Sequence, residues 1–169
     1  HADFKKLGLL PDTLLFSGDV DVDFEGNTLD DFLGYARFYN ATVNDGKQRL
    51  NFDSLTLESF AKEDSARLLT MHTNEASAKV EGRFKLSELT NSFTWFLHRY
   101  YPTIIKEPTG NLPEQDFTFE IVTRNIETFL KVFDDNIGGL NHTNINGSIN
   151  TRSGILQFKA EAPVFSYGS

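Results

Sequence analysis

Apolar and polar side chains alternate along several stretches of the chain, as expected for β-strands with one buried face and one face in water. The clearest stretch is residues 16–24, and residues 76–86 and 117–123 repeat the pattern. In residues 16–24, three aspartates occupy the face opposite the apolar one. This alternation is typical of an antiparallel sheet.

Weaker strands are also predicted. They cover residues 35–43, 49–58, 66–73, 145–150 and 154–162. In the second of these, Leu50 and Phe52 alternate out of phase with Leu55 and Leu57. A β-bulge near Ser54 would bring all four side chains to the same face.

Two stretches follow the helical period instead. Apolar residues from Leu86 to Tyr100 recur at spacings of three, four and seven. They predict the longest helix near residues 87–101, with Ser87 as its N-cap. A second helix is predicted over residues 126–133. The expected fold is therefore mainly β, with two or three short α-helices.

Three strand segments share the form apolar-x-Gly-x-apolar. They are centred on Gly18, Gly82 and Gly147, which are 64 and 65 residues apart. If the echo is a true repeat, the sheet grows by adding similar strand units, as solenoid-like proteins do. Glycine at that position would let neighbouring backbones approach closely, which suits a curved sheet.

Length and composition narrow the choice of function. The 169 residues include 24 acidic and 16 basic side chains, giving a net charge of −8 and no basic footprint for nucleic acid. The absence of cysteine excludes disulfides and thiol chemistry.

We predict one β-rich domain over residues 14–162, with an N-terminal extension at 1–13 and a tail at 163–169. The chain starts without Met, so we expect a piece of a longer protein.

The aspartate stripe of the first strand suggests a calcium site but does not meet its requirements. An EF-hand loop starting at Asp19 would need Gly at position 6 and Glu at position 12. Those positions hold Phe24 and Asp30. The four histidines, His1, His72, His98 and His142, lack the close spacing of metal ligands. We therefore expect a solvated acidic stripe, no metal and no cofactor.

Catalytic motifs are also missing from the sequence. Carboxylates are plentiful, and Asp134-Asp135 stands at the end of a predicted helix, where the dipole disfavours negative charge. A hydrolase that uses a carboxylate pair is the least favoured hypothesis, and we expect no enzyme.

The sequence resembles the TamB family in the order of its strand, glycine and helix segments. The resemblance is carried by the runs at residues 16–26, 28–34, 35–40 and 50–57, and by residues 80–89 followed by the aromatic helix. The family combines units of this kind, in which an alternating strand, a glycine, a small helix, a second glycine and a strand follow one another. The resemblance covers roughly residues 14–160.

The resemblance implies a fold and a setting. TamB-like proteins are long, anchored in the inner membrane of Gram-negative bacteria, and span the periplasm. Their body is a curved, elongated β-sheet folded like a taco around a hydrophobic groove. They act in outer-membrane biogenesis, in phospholipid transport between the membranes, in the assembly and secretion of outer-membrane proteins, or in both. The implied partner is an outer-membrane barrel protein of the TamA/BamA type, and the implied cargo is phospholipid or another hydrophobic molecule.

A groove for acyl chains requires an apolar face that no second layer covers. Candidate lining residues lie on the alternating strands and in the aromatic helix: Phe16, Val20, Val22, Phe24, Val80, Phe84, Trp95, Phe117, Phe119, Ile121, Leu156 and Phe158. The competing interpretation is an ordinary core covered by the helix of residues 86–101. The alternative function is a self-contained β-domain that binds a carbohydrate or a small hydrophobic ligand.

Overall fold

The computed structural model describes residues 15–28, 30–44, 49–100, 102–103, 106, 114–133 and 137–167. The strands in chain order are β1 (Leu15–Glu25), β2 (Leu33–Asn44), β3 (Arg49–Ala61), β4 (Arg67–Thr73), β5 (Ala76–Arg83), β6 (Asp116–Thr123), β7 (Ile137–Gly139), β8 (Asn144–Asn150), β9 (Ile155–Glu161) and β10 (Phe165–Tyr167). The helices are α1 (Leu89–Tyr100) and α2 (Glu127–Phe133), and short 3-10 turns cover Glu63–Ser65 and Leu86–Glu88.

Eight strands form one antiparallel sheet in the order β1-β2-β3-β4-β5-β6-β8-β9. The sheet is not closed. Within the described residues, β1 and β9 have a neighbour on one side only, so they are its edges. The predicted mainly β fold, with its longest helix near residues 87–101, is confirmed.

The strand register puts apolar residues on one side of the sheet, which we call the apolar face. One row of mutually paired residues crosses all eight strands: Val22, Ala36, Leu57, Met71, Ala78, Ile121, Ile145 and Ala160. We call it the transverse row. At about 4.8 Å per strand, it extends for roughly 34 Å. The adjacent row, on the opposite polar face, is polar at every position except Val122.

The main core lies between α1 and the apolar face of the second half of the sheet. Phe96 of α1 and Ile149 of β8 are fully buried, and Phe117 and Phe119 of β6 are almost so. Phe93 meets the Phe119 ring edge-on at 5.1 Å between centroids. The apolar side chains that recur at helical spacing therefore place one face of α1 against the sheet. The burial of these rings is the main contribution to the stability of the fold.

A smaller cluster lies on the first three strands. It is built from Ala36, Phe38 and Ala41, with partly buried Phe52 and Leu55 among the side chains packed against it. The Phe52 ring also packs on Phe129 of α2, with 4.9 Å between centroids. The two helices thus contact the sheet in different places.

The phase slip in β3 has a structural counterpart. The β1–β2 register shifts between Ser17 and Asp19, where Asn40 and Ala41 of β2 face the single Gly18. Strand β3 stays in register with β2 here, so it carries the same extra residue relative to β1. Phe52 therefore reaches the same cluster as Leu55 although the two are out of phase.

Gly18 is required at this irregularity because a Cβ there would lie 2.8 Å from the Ala41 Cα. Asn40 has a φ of 48°, one of the positions where a non-glycine residue adopts the left-handed region.

Two local predictions need correction, and one helix end gains a partner that the sequence did not indicate. Ser87 does not cap α1, because it lies inside the 3-10 turn and its hydroxyl donates to Asp30 instead. The first N–H of α2 is satisfied by Asn141 Oδ1 at 3.1 Å. Residues 165–167, placed in a tail from the sequence, form β10 and pair with β7. The predicted extension at 1–13 lies outside the described residues.

Candidate functional site

The predicted groove residues separate into an exposed set and a covered set. On the edge strand β1, Val20, Val22 and Phe24 are 42%, 48% and 49% exposed, and on the other edge Phe158 is 61% exposed. These four apolar side chains lie in water on the apolar face. The side chain of Phe16 lies outside the described residues, although its backbone belongs to β1.

Phe117 and Phe119 belong to the covered set, which corrects their expected place in an open groove. They are 3% and 6% exposed because α1 lies over them. The half-buried neighbours that pack against this core are Val80, Phe84, Trp95 and Leu156. The helix thus covers the part of the apolar face formed by β6 and β8, as the competing interpretation expected. It leaves Phe158 of β9 and the described apolar side chains of β1 exposed.

The transverse row runs between the main core under α1 and the smaller cluster of the first strands, and it contributes to both: Ile145 packs against the main core, and Ala36 belongs to the smaller cluster. Along β6, Ile121 follows the α1-covered pair Phe117 and Phe119. Along β3, Leu57 lies between Ser59, which is aligned with Phe119, and Phe52, which contacts α2. Sequence reasoning selected Val22 and Ile121 but missed the small residues of this row, because only the strand register aligns them.

A polar cluster lies beside this apolar surface, at the turn between β1 and β2. The Asp30 carboxylate accepts hydrogen bonds from the Ser87 N–H at 2.9 Å and the Ser87 hydroxyl at 2.7 Å. Its main-chain oxygen accepts one from Arg67 Nη1 at 2.8 Å. Burial acts to raise the pKa of Asp30, but Ser87 and the charges of Lys85 and Arg67 hold it below its usual value. The ionised carboxylate ties this turn to the segment that leads into α1.

Arg67 is the buried cation of this cluster. It is 8% exposed, and its guanidinium carbon lies 4.7 Å from the centre of the Phe84 ring. Burial lowers the pKa of the guanidinium, and the nearby charges of Asp30 and Asp31 offset part of that effect. Nothing in the sequence indicates that this residue is buried, because an arginine on a β-strand ordinarily lies on the face exposed to water.

The acidic stripe lies on the exposed polar face of β1. Asp21 is 3.8 Å from Arg37, which is also 3.7 Å from Glu58. In the described part of the chain, no group of three or more His, Asp or Glu side chains could hold a metal ion. His1 and the Asp134-Asp135 pair lie outside the described residues.

One polar depression, of about 350 Å³, lies at the ends of β5, β6 and β8. Its lining is Arg83, Glu114, Gln115, Asp116, Asn150 and Arg152. Arg83 pairs with Asp116 at 3.1 Å, and Arg152 pairs with Glu114, so its charges are internally balanced. None of these lining side chains is aromatic, which leaves a sugar ring without a stacking surface here.

Comparison with known proteins gives no relative: no family model, no curated protein and no solved structure matches this chain. Among the described residues, no helix combines the length and the hydropathy needed to cross a bilayer.

Proposed function

We propose that this chain is a non-enzymatic segment of a TamB-like protein in outer-membrane biogenesis, and that its apolar face holds the acyl chains of phospholipid. The observation that carries the proposal is the transverse row, which is apolar on all eight strands and reaches both edges of an open sheet. Exposed Val22 and Phe24 at one edge, and Phe158 at the other, extend this surface into solvent.

The energetics of such a surface suit a hydrocarbon chain. Each methylene removed from water contributes about 0.8 kcal/mol. Burial of ten methylenes would thus supply roughly 8 kcal/mol before the cost of immobilising the chain. A surface made of Val, Leu, Ile and Ala binds such a chain without fixing its position, which suits movement along the row.

The two open edges of the sheet support the proposal that this chain is one segment of a longer β-sheet protein. An edge strand has free backbone donors and acceptors that can pair with another strand. Strands of adjoining segments at β1 and β9 would continue both the sheet and its apolar face. In this proposal the parent protein lies in the periplasm, anchored in the inner membrane, and works with a barrel partner of the TamA/BamA type.

We expect phospholipid to co-purify with the native chain from a Gram-negative host, and the doubly substituted Val22→Asp/Phe24→Asp chain to lose most of it. The two carboxylates would lie on the uncovered part of the apolar face, where a lipid chain would have to desolvate them. Gentle purification, solvent extraction and mass spectrometry measure the lipid bound per chain.

Phe60→Asp is the matched control for this experiment. Phe60 is 50% exposed, like Phe24, but its partner Leu68 is paired with Glu81 on the polar face. The Phe60→Asp chain should therefore retain the native amount of lipid. Equal lipid loss in both folded variants, or no lipid on a folded native chain, would contradict the proposal. The second result would favour a self-contained domain that binds another ligand.

A further inference from the structure

Two buried polar atoms on the apolar face have no hydrogen-bond partner among the described residues: Arg67 Nη2 and Ser59 Oγ. Ser59 is 1% exposed and Arg67 is 8% exposed. Both residues are on the apolar side of the sheet, since Ser59 pairs with Leu69 and Arg67 pairs with Gly82. An unpaired polar atom in such a place costs free energy unless something binds it.

The two residues are close neighbours in the sheet. Ser59 pairs with Leu69, and Arg67 lies two positions along β4 from Leu69, so Ser59 and Arg67 are diagonal neighbours on adjacent strands. Diagonal positions on one face are within reach of long side chains. A single group could therefore accept from both the guanidinium and the hydroxyl.

The guanidinium is a buried charge that no carboxylate contacts among the described residues. Arg67 donates a hydrogen bond to the main-chain oxygen of Asp30. Both carboxylate oxygens of Asp30 accept from Ser87, one from its N–H and one from its hydroxyl. The Asp31 carboxylate is likewise occupied, by Asn27 and Thr28. A buried cation is ordinarily paired, and an arginine presents donors suited to carboxylate or phosphate oxygens.

We propose that Arg67 and Ser59 bind the anionic headgroup oxygen of an amphiphile whose hydrocarbon chain lies along the transverse row. Ser59 is two residues from Leu57 of that row, and Arg67 is four residues from Met71. A chain lying along the row would thus turn its polar end toward the hydroxyl and then the guanidinium. The shared chemistry is a carboxylate or phosphate oxygen.

This inference rests on the proposed function, because it names the class of amphiphile that the apolar face selects. The charges of Asp30 and Asp31 act on the guanidinium, but their carboxylate oxygens accept hydrogen bonds from other donors and none of them accepts from Arg67 Nη2. The Phe84 ring against the guanidinium limits water around it, which strengthens a charge-assisted hydrogen bond.

Equilibrium dialysis of the native chain against oleate, oleyl alcohol and acetate tests the proposal. We expect oleate to bind at least about tenfold more tightly than oleyl alcohol, since the alcohol lacks the charge that the guanidinium pairs with. Acetate should bind far more weakly than oleate, because it brings the anion without the chain. Tight acetate binding would overturn the proposal in favour of a free-anion site.

Ser59→Ala is the most informative variant, because it removes a hydroxyl that has no hydrogen-bond partner in the part of the chain that the structure describes. We expect an unchanged or higher Tm and about fivefold weaker oleate binding, with oleyl alcohol affected less. Ser77→Ala, on the polar face of β5, is the matched control and should leave oleate binding unchanged. Arg67→Lys should reduce the preference for oleate over the alcohol, because it keeps the charge but loses the planar fork.

The outcomes separate this inference from the proposed function. Equal binding of oleate and oleyl alcohol, unaffected by Ser59→Ala, would overturn the headgroup site but leave the acyl groove in place. A lower Tm in Ser59→Ala with native oleate binding would also overturn it, and would assign the hydroxyl to a buried water. No binding of either amphiphile to the folded chain would contradict both proposals.

Discussion

Replacing Phe96 by alanine is expected to lower the free energy of unfolding by about 3–5 kcal/mol. The Phe96 side chain is fully buried, in the cluster that includes Phe117, Phe119 and Ile149. Its ring also meets the Trp95 ring edge-on at 5.0 Å. Removing the ring loses its transfer free energy and leaves a cavity beneath α1, which the surrounding rings can fill only in part. Urea unfolding monitored by circular dichroism measures the change.

Phe60→Ala removes the same group from the opposite side of the sheet. Phe60 is 50% exposed, so its loss should cost less than about 1 kcal/mol. If Phe96→Ala were no more destabilising than Phe60→Ala, α1 would not cover the core as described. The Trp95 fluorescence of the Phe96 variant gives a second measure of whether the helix stays packed.

Replacing Gly82 by alanine should destabilise the protein by about 3 kcal/mol or more, as the sum of backbone strain and a steric clash. Gly82 has a φ of 140°, and a Cβ there would lie 2.3 Å from the main-chain oxygen of Asp116 and 2.7 Å from the Phe117 Cα. Neither backbone atom can move without disturbing the β5–β6 ladder. Thermal and urea unfolding both report this loss.

Gly154→Ala provides the comparison for this substitution. Gly154 also has a positive φ, 66°, but it lies in the turn before β9, and the nearest atom to a Cβ is the flexible tip of Arg99 at 3.2 Å. We expect a cost of only about 1 kcal/mol, from the left-handed backbone. Similar costs at both glycines would mean that β5 and β6 do not approach closely at Gly82.

The strands could be predicted from the sequence where one face is wet. Residues 16–24 became β1 and residues 117–123 became β6 with ends shifted by one residue, since alternation reports burial on one side directly. Strands β7 and β10 are three residues long, too short to show any period. They form because two distant segments meet.

The close backbone approaches at three glycines could also be predicted in part, from the apolar-x-Gly-x-apolar pattern that they share. A Cβ at Gly18, Gly82 or Gly147 would come within 3.0 Å of backbone atoms in the neighbouring strand, so the shared pattern marks three close approaches. The sequence could not say which strand lies opposite each glycine.

The residues of the candidate site could be grouped only once the strand register was known. Val22 and Ile121 belong to one row only because the ladder aligns the five strand pairs between β1 and β6. The register alone does not decide which rings α1 covers: Phe119 and Phe158 occupy one row, yet one is 6% and the other 61% exposed. Helix position, not hydropathy, separates them.

The most direct test of the acyl groove is photo-crosslinking in the otherwise native chain. A photoreactive amino acid placed at Val22, on the exposed end of the transverse row, is expected to form a phospholipid adduct in a Gram-negative host. The same residue at Phe60, equally exposed on the polar face, should give little or none. Mass spectrometry of the purified protein identifies the adduct. No lipid adduct at Val22, or equal labelling at both positions, would contradict an acyl groove on the apolar face.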